Sequence, residues 1–142
     1  MRGLRFASGE AQDYAQAAHW YTLAAEQNHS LAQFNLAVMY GQGQGVARDE
    51  AKWLMWMTRA AELGDAGAQY QVGMQRHVTN RKGGEETAPE GRIEALKWVR
   101  LSAAQAYRGA ERACEFVAME MTQAEVDEGG RRVAAFVAGK RG

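Results

Sequence analysis

Few residues of this sequence have both the type and the surroundings that bond-making chemistry requires. A hydrolytic serine needs a Gly-x-Ser-x-Gly elbow and a base beside it, and Ser8, Ser30 and Ser102 stand in no such context. His19, His29 and His77 fall at no metal-ligand spacing, and no His-Glu-x-x-His occurs, so they read as surface histidines. Cys114 cannot pair within the chain. Its neighbours Ala113, Phe116 and Val117 mark a small apolar core residue, not the exposed, electropositive setting of a reactive thiolate. Gly41-x-Gly43-x-Gly45 has the look of a phosphate cradle, but it follows a helical stretch where a dinucleotide fingerprint must follow a strand, and turn chemistry accounts for it. No catalytic, cofactor-binding or metal-ligating residue is expected.

The chemistry that is left is recognition. Trp20, Trp56 and Trp98 suggest a stacking platform for bases or sugars, yet their common phase in a repeat argues for packing inside a core. A sharper set lies on other helices. Phe34 and Val38, then Tyr70 and Met74, then Arg112 and Phe116 occupy one phase, away from the face carrying Ala32, Leu36 and Tyr40. With Gln33, Asn35, Gln69, Gln71 and Gln75 as polar neighbours able to bond a guest backbone, these positions describe an amphipathic groove for a peptide or helix. The candidate partner-binding residues are Phe34, Val38, Tyr70, Met74, Phe116, Gln33 and Gln71. The competing use of the same side chains is to pack neighbouring helices on each other.

The elements that position them follow from an internal repeat. Trp20-Tyr21-Thr22-Leu23-Ala24-Ala25-Glu26 returns as Trp56-Met57-Thr58-Arg59-Ala60-Ala61-Glu62, and Ala32-Gln33 as Ala68-Gln69, shifted by 36 residues. A period of this length means helix pairs that each bury an apolar face on the next, so the fold class is all-α, an α-solenoid. Helices are expected from Asp13 to about Gln27, from Ser30 to Tyr40, from Asp49 to Leu63, from Gly67 to about His77, from Ile93 to about Gln105 and from Arg108 to about Met121. Asn28 and Gly64 occupy equivalent helix ends and tolerate the left-handed conformation. Asp49 is placed to cap a helix start.

Thr79 to Arg92, with the only proline and no large apolar residue, reads as a mobile loop; beyond it the repeat resumes with a shift of 42, Trp98 answering Trp56. Thr122 and Glu125 form a capping box that opens a last helix. Val126, Val133, Phe136 and Val137 line one side of it and Asp127, Glu128, Arg131 and Arg132 a charged outer face, with Gly129-Gly130 weakening its middle. The organisation is one repeat domain over 1–142: a partial repeat at 13–31, a full one at 32–67, one with an insertion at 68–109, a partial one at 110–121 and a capping helix at 122–138. Projecting the period backwards sets Leu4 at the place of Tyr40 and Gly9 at that of Gly45, so the first residues read as the tail of a lost helix.

Seventeen basic residues against seventeen acidic ones leave no net charge, so neither a nucleic-acid footprint nor a polybasic membrane patch is expected. No window supplies the ~18 uninterrupted apolar residues of a membrane span. The N-terminus lacks the apolar run of a secretory signal, and a soluble chain is expected.

Ala32, Leu36 and Tyr40, then Gly43, Gly45 and Val46, Asp49, Trp56, Ala60-Ala61 and Gly64 resemble the Sel-one-like repeat, a relative of the tetratricopeptide repeat. The resemblance covers about three-quarters of the chain. It implies a right-handed, tetratricopeptide-like superhelix of antiparallel helix pairs, and adaptors in bacterial signalling or envelope assemblies. One branch of the family staples its repeats with paired cysteines and is linked to penicillin binding, which a single Cys114 does not match. The first reading is therefore a non-catalytic protein-protein interaction scaffold that takes a peptide or helix in a concave groove. A cell-wall or β-lactam-related binding protein or enzyme is the alternative, as is a structural fragment that self-associates through its N-terminal end.

Overall fold

A computed structural model describes the backbone of residues 2–82 and 88–141 and the side chains of residues 13–80 and 89–140. Every regular element among the described residues is a helix: α1 (Arg2–Glu26), α2 (Ser30–Gln42), α3 (Glu50–Glu62), α4 (Ala66–Lys82), α5 (Ala88–Ala104), α6 (Ala110–Ala118) and α7 (Gln123–Arg141). They fall into two compact units, 1–65 and 66–142.

In the first unit α2 packs on both α1 and α3. Leu36 and Ala37 of α2 and Met57, Ala60 and Ala61 of α3 are fully buried, as is Ala25 of α1. Asp49 caps α3 as expected, its carboxylate accepting the Lys52 amide at 3.1 Å. The glycine-rich link before it serves close approach. A Cβ on Gly41 would stand 2.8 Å from Trp53 Cδ1, and one on Gly45 would enter the Tyr14 carbonyl, while Gly43 and Gly45 take φ of 69° and 74°.

In the second unit α5 is the central helix, in contact with α4, α6 and α7. Its Ala95, Leu96 and Val99 form a core with Ala113 and Val117 of α6. Gly73, buried in the middle of α4, lets the two backbones meet; a Cβ there would lie 2.7 Å from Val99 Cγ1 and 3.1 Å from the Ala95 carbonyl. Ser102 and Gln105 bond back across 36 residues, to the Ala66 carbonyl at 2.8 Å and the Gln69 carboxamide at 3.0 Å. Helix α7 lies along α5, with Phe136 edge-on to Trp98 at 5.6 Å between ring centroids.

One helix ending occurs three times. Asn28, Gly64 and Ala106 take φ of 65°, 106° and 59°. Each donates its amide to the carbonyl three residues back, and the following residue donates to the carbonyl five back, a Schellman ending in each case.

Several expectations need correction. Helix α1 runs without a break past Gly9, since the positions answering Gly41 and Gly43 are Arg5 and Ala7 and a single glycine costs a helix only about 1 kcal/mol. The stretch from Thr79 to Arg92 is helical at both ends, where α4 continues to Lys82 and α5 starts at Ala88. Pro89 is tolerated in the first turn, where its missing amide has no helical partner to lose, and Gly91 packs on Asn80. Residues 83–87 lie outside the described residues. Trp20 is 67% exposed whereas Trp56 and Trp98 are buried, because Trp20 projects from α1 on the side opposite Ala18 and Ala25. His77 is buried, its ring edge-on to Phe116 at 5.0 Å. Gly129 does more than weaken α7, for it lets α7 settle onto Leu96.

Candidate functional site

The candidate residues are set out on two helices of the second unit and one of the first. Helix α4 presents Tyr70 and Met74 one turn apart, and α6 presents Arg112 and Phe116 one turn apart with Met119 three residues further on. Helix α6 is fastened by its opposite side, where Ala113 and Val117 enter the core beside Leu96 and Val99. Between these side chains lies an open apolar depression of about 560 Å³, with Arg112 and Glu115 at its rim. The rings are fixed from behind. Tyr70 packs on Tyr107 at 5.3 Å, and Phe116 on His77.

Tyr70, Met74 and Phe116 are thus brought together. Phe116 is 47% exposed and Met119 79% exposed, the latter being the most exposed of the large apolar residues among those described. Met119 escaped the sequence reading, although its place three residues after Phe116 puts it on the same helical face. In the first unit Phe34 and Val38 lie half-buried on α2, one turn apart. Gln33 does not belong to any exposed surface. It is fully buried, and its Nε2 donates to the Ala25 carbonyl at 3.0 Å, which ties α2 to the end of α1. Gln69 is withdrawn in the same way by its bond from Gln105, while Gln71 stays partly exposed on α4.

Cys114 sits half-buried on α6, packed against the core, and burial pushes its thiol above the ordinary range. That disfavours the thiolate. Among the described residues no three of His, Cys, Asp and Glu converge as they would on a metal ion, and no helix is long and apolar enough to cross a membrane.

Arg132, expected on the charged outer face of the last helix, instead joins a charged seam that fastens α7 to α5, while Asp127 and Arg131 do stay exposed. Arg132 donates through both terminal nitrogens to Glu90, at 2.7 and 2.9 Å, and to Glu94 at 2.7 Å. Arg92 donates to both oxygens of Glu125, at 3.2 and 2.8 Å. The Glu125 carboxylate also accepts the Thr122 amide, while the Thr122 hydroxyl accepts the Glu125 amide, so the capping box is complete. The guanidinium hydrogen bonds hold the carboxyls of Glu90 and Glu125 below their ordinary range.

The Sel1 repeat family model matches the chain at residues 2–29, 30–65 and 66–107. Comparison with curated proteins gives no significant match. Among solved structures, a protective antigen present in uropathogenic Escherichia coli strains and displaying an SLR fold is similar over 96% of this chain, with a TM-score of 0.77 and 23% identity. A Sel1 repeat protein from Oxalobacter formigenes is similar over 79%, with a TM-score of 0.59 and 30% identity. The chain spans 28% and 42% of the lengths of those two proteins. With three repeats matched over most of its length and an all-helical fold shared with these structures, the chain belongs to the Sel1 repeat family, whose repeats typically form non-catalytic scaffolds that mediate protein-protein interaction.

Proposed function

We propose that this chain is a protein-binding scaffold whose recognition surface is the depression between α4 and α6, and that the guest is a peptide or helix anchored by one large apolar side chain. The observation that carries this reading is the joint exposure of Phe116 and Met119 over a depression floored by Tyr70 and Met74. Large apolar side chains held open in this way lose free energy to water until a guest covers them, and a buried aromatic anchor is the usual energetic centre of an interface. Gln71 adds a partly exposed amide on the same helix for a guest backbone. Phe34 and Val38 add a second, shallower apolar strip on α2.

The test is affinity capture with the wild type beside Tyr70→Ala/Phe116→Ala and, separately, Phe34→Ala/Val38→Ala. The Tyr70/Phe116 variant is expected to keep its helicity and lose a bound protein. Retention of every bound protein by a folded variant refutes the site.

A further inference from the structure

We infer that the guest of the α4–α6 depression is a second copy of this chain, which inserts Trp20 of its α1. This rests on the binding role proposed above for that depression.

Trp20 holds the repeat phase that buries Trp56 to 7% and Trp98 to 4%, yet it stands 67% exposed, with Leu23 41% exposed one turn further along. It is a large rigid knob of the kind that dominates interfaces. The depression is its counterpart, an apolar hole of about 560 Å³ walled by Phe116 and Met119 and floored by Tyr70 and Met74. Charge fixes the register. Arg112 of α6 lies seven residues before Met119, which ends that helix in helical conformation, and Asp13 lies seven residues before Trp20 on α1; Arg112 and Asp13 are both exposed. Each interval spans roughly 10 Å of helix, so α1 of one copy laid parallel to α6 of the other sets Asp13 on Arg112 while Trp20 enters beside Phe116. The absence of net charge removes the repulsion that would hold two copies apart.

Knob and hole are different surfaces of the same chain. Each added copy therefore carries one of each forward, and association is head-to-tail. So small a contact falls short of the roughly 1,200–2,000 Å² of a standard interface, and the association is of the weak, transient kind.

Sedimentation equilibrium on the full chain, from about 10 μM to about 1 mM, tests this across the range in which weak contacts associate. The wild type is expected to rise in average mass above its 15.6 kDa as concentration increases. Trp20→Ser and Met119→Glu each change an exposed side chain, so both should keep the wild-type circular dichroism and both should stay monomeric. Mixed together, they should form a one-to-one dimer that does not extend, since one copy contributes only a hole and the other only a knob. Arg112→Asp should weaken association at least fivefold, and Asp13→Arg/Arg112→Asp should restore it. A wild type that stays monomeric throughout, association that survives Trp20→Ser, or a mixture that fails to pair overturns the inference. If the wild type is monomeric while Tyr70→Ala/Phe116→Ala still loses a captured protein, only the second copy is refuted and the binding role stands.

Discussion

Arg132 of α7 grips Glu90 of α5 through a two-pronged ion pair, 2.7 and 2.9 Å, and shares the same guanidinium with Glu94 at 2.7 Å. The arginine is 28% exposed and Glu94 19%, whereas Glu90 is 70% exposed. Fork-to-fork pairing is the stronger form of ion pair, but the exposure of Glu90 discounts it. Arg132→Ala should therefore cost about 1–2 kcal/mol in urea unfolding. Arg132→Lys should recover less than half of that, because an ammonium cannot engage both oxygens in one plane. An alanine variant as stable as the wild type would show that the seam does not hold α7.

Acid should weaken the same seam through Glu125. The Arg92 hydrogen bond holds the Glu125 carboxyl below the usual glutamate value near about 4.3. A carboxyl with a depressed folded-state value contributes stability that is complete above the unfolded value and drains away as pH falls through the folded one. Stability should thus be flat above about pH 5 and decline below it. Glu125→Gln keeps a side chain able to cap Thr122 and removes the charge, so it should lower stability at pH 7 and flatten part of the acid limb. The slope of urea midpoint against pH, compared between the two proteins, gives the answer.

Gly73 makes a prediction whose sign opposes helix propensity. Alanine in a helix interior is favoured over glycine by about 1 kcal/mol. At this position its methyl would stand 2.7 Å from Val99 Cγ1 and 3.1 Å from the Ala95 carbonyl, and the latter is backbone that cannot turn aside. Overpacking of this kind costs about 1–3 kcal/mol, so Gly73→Ala should destabilise. A raised melting temperature would mean that α4 and α5 lie further apart than described.

Cys114 should be slow to alkylate. Its thiol is half-buried and shifted upward by that burial, so iodoacetamide at neutral pH should react with the native chain several-fold more slowly than with the chain in urea. Equal rates would contradict the packing of α6.

The fold was legible because its signals are local or periodic. The return of Trp20 and Ala24-Ala25 after 36 residues, the cap at Asp49, the left-handed ends at Asn28 and Gly64 and the box of Thr122 and Glu125 all follow from residue type and spacing. What escaped depends on which side of a helix is covered. Trp20 and Trp98 share a phase, but Trp98 has Phe136 against it whereas Trp20 stands mostly exposed. Gln33 and Gln71 look alike in sequence, yet only Gln33 points at the end of α1 and is buried. Arg132 looked like solvent-facing charge because its acidic partners lie 38 and 42 residues away, beyond the reach of helical periodicity.

The thrice-repeated helix ending is made with asparagine, glycine and alanine in turn. What is kept is a backbone path and two amide bonds, and no particular side chain is kept with it. Alanine in that conformation carries a strain of roughly 1–2 kcal/mol, so Ala106 marks how much imperfection such a joint absorbs. An elbow specified by main chain alone can be duplicated along with its hairpin and left to drift, without a matched pair of residues that must change together. That is a sufficient physical reason for such modules to lengthen by copying.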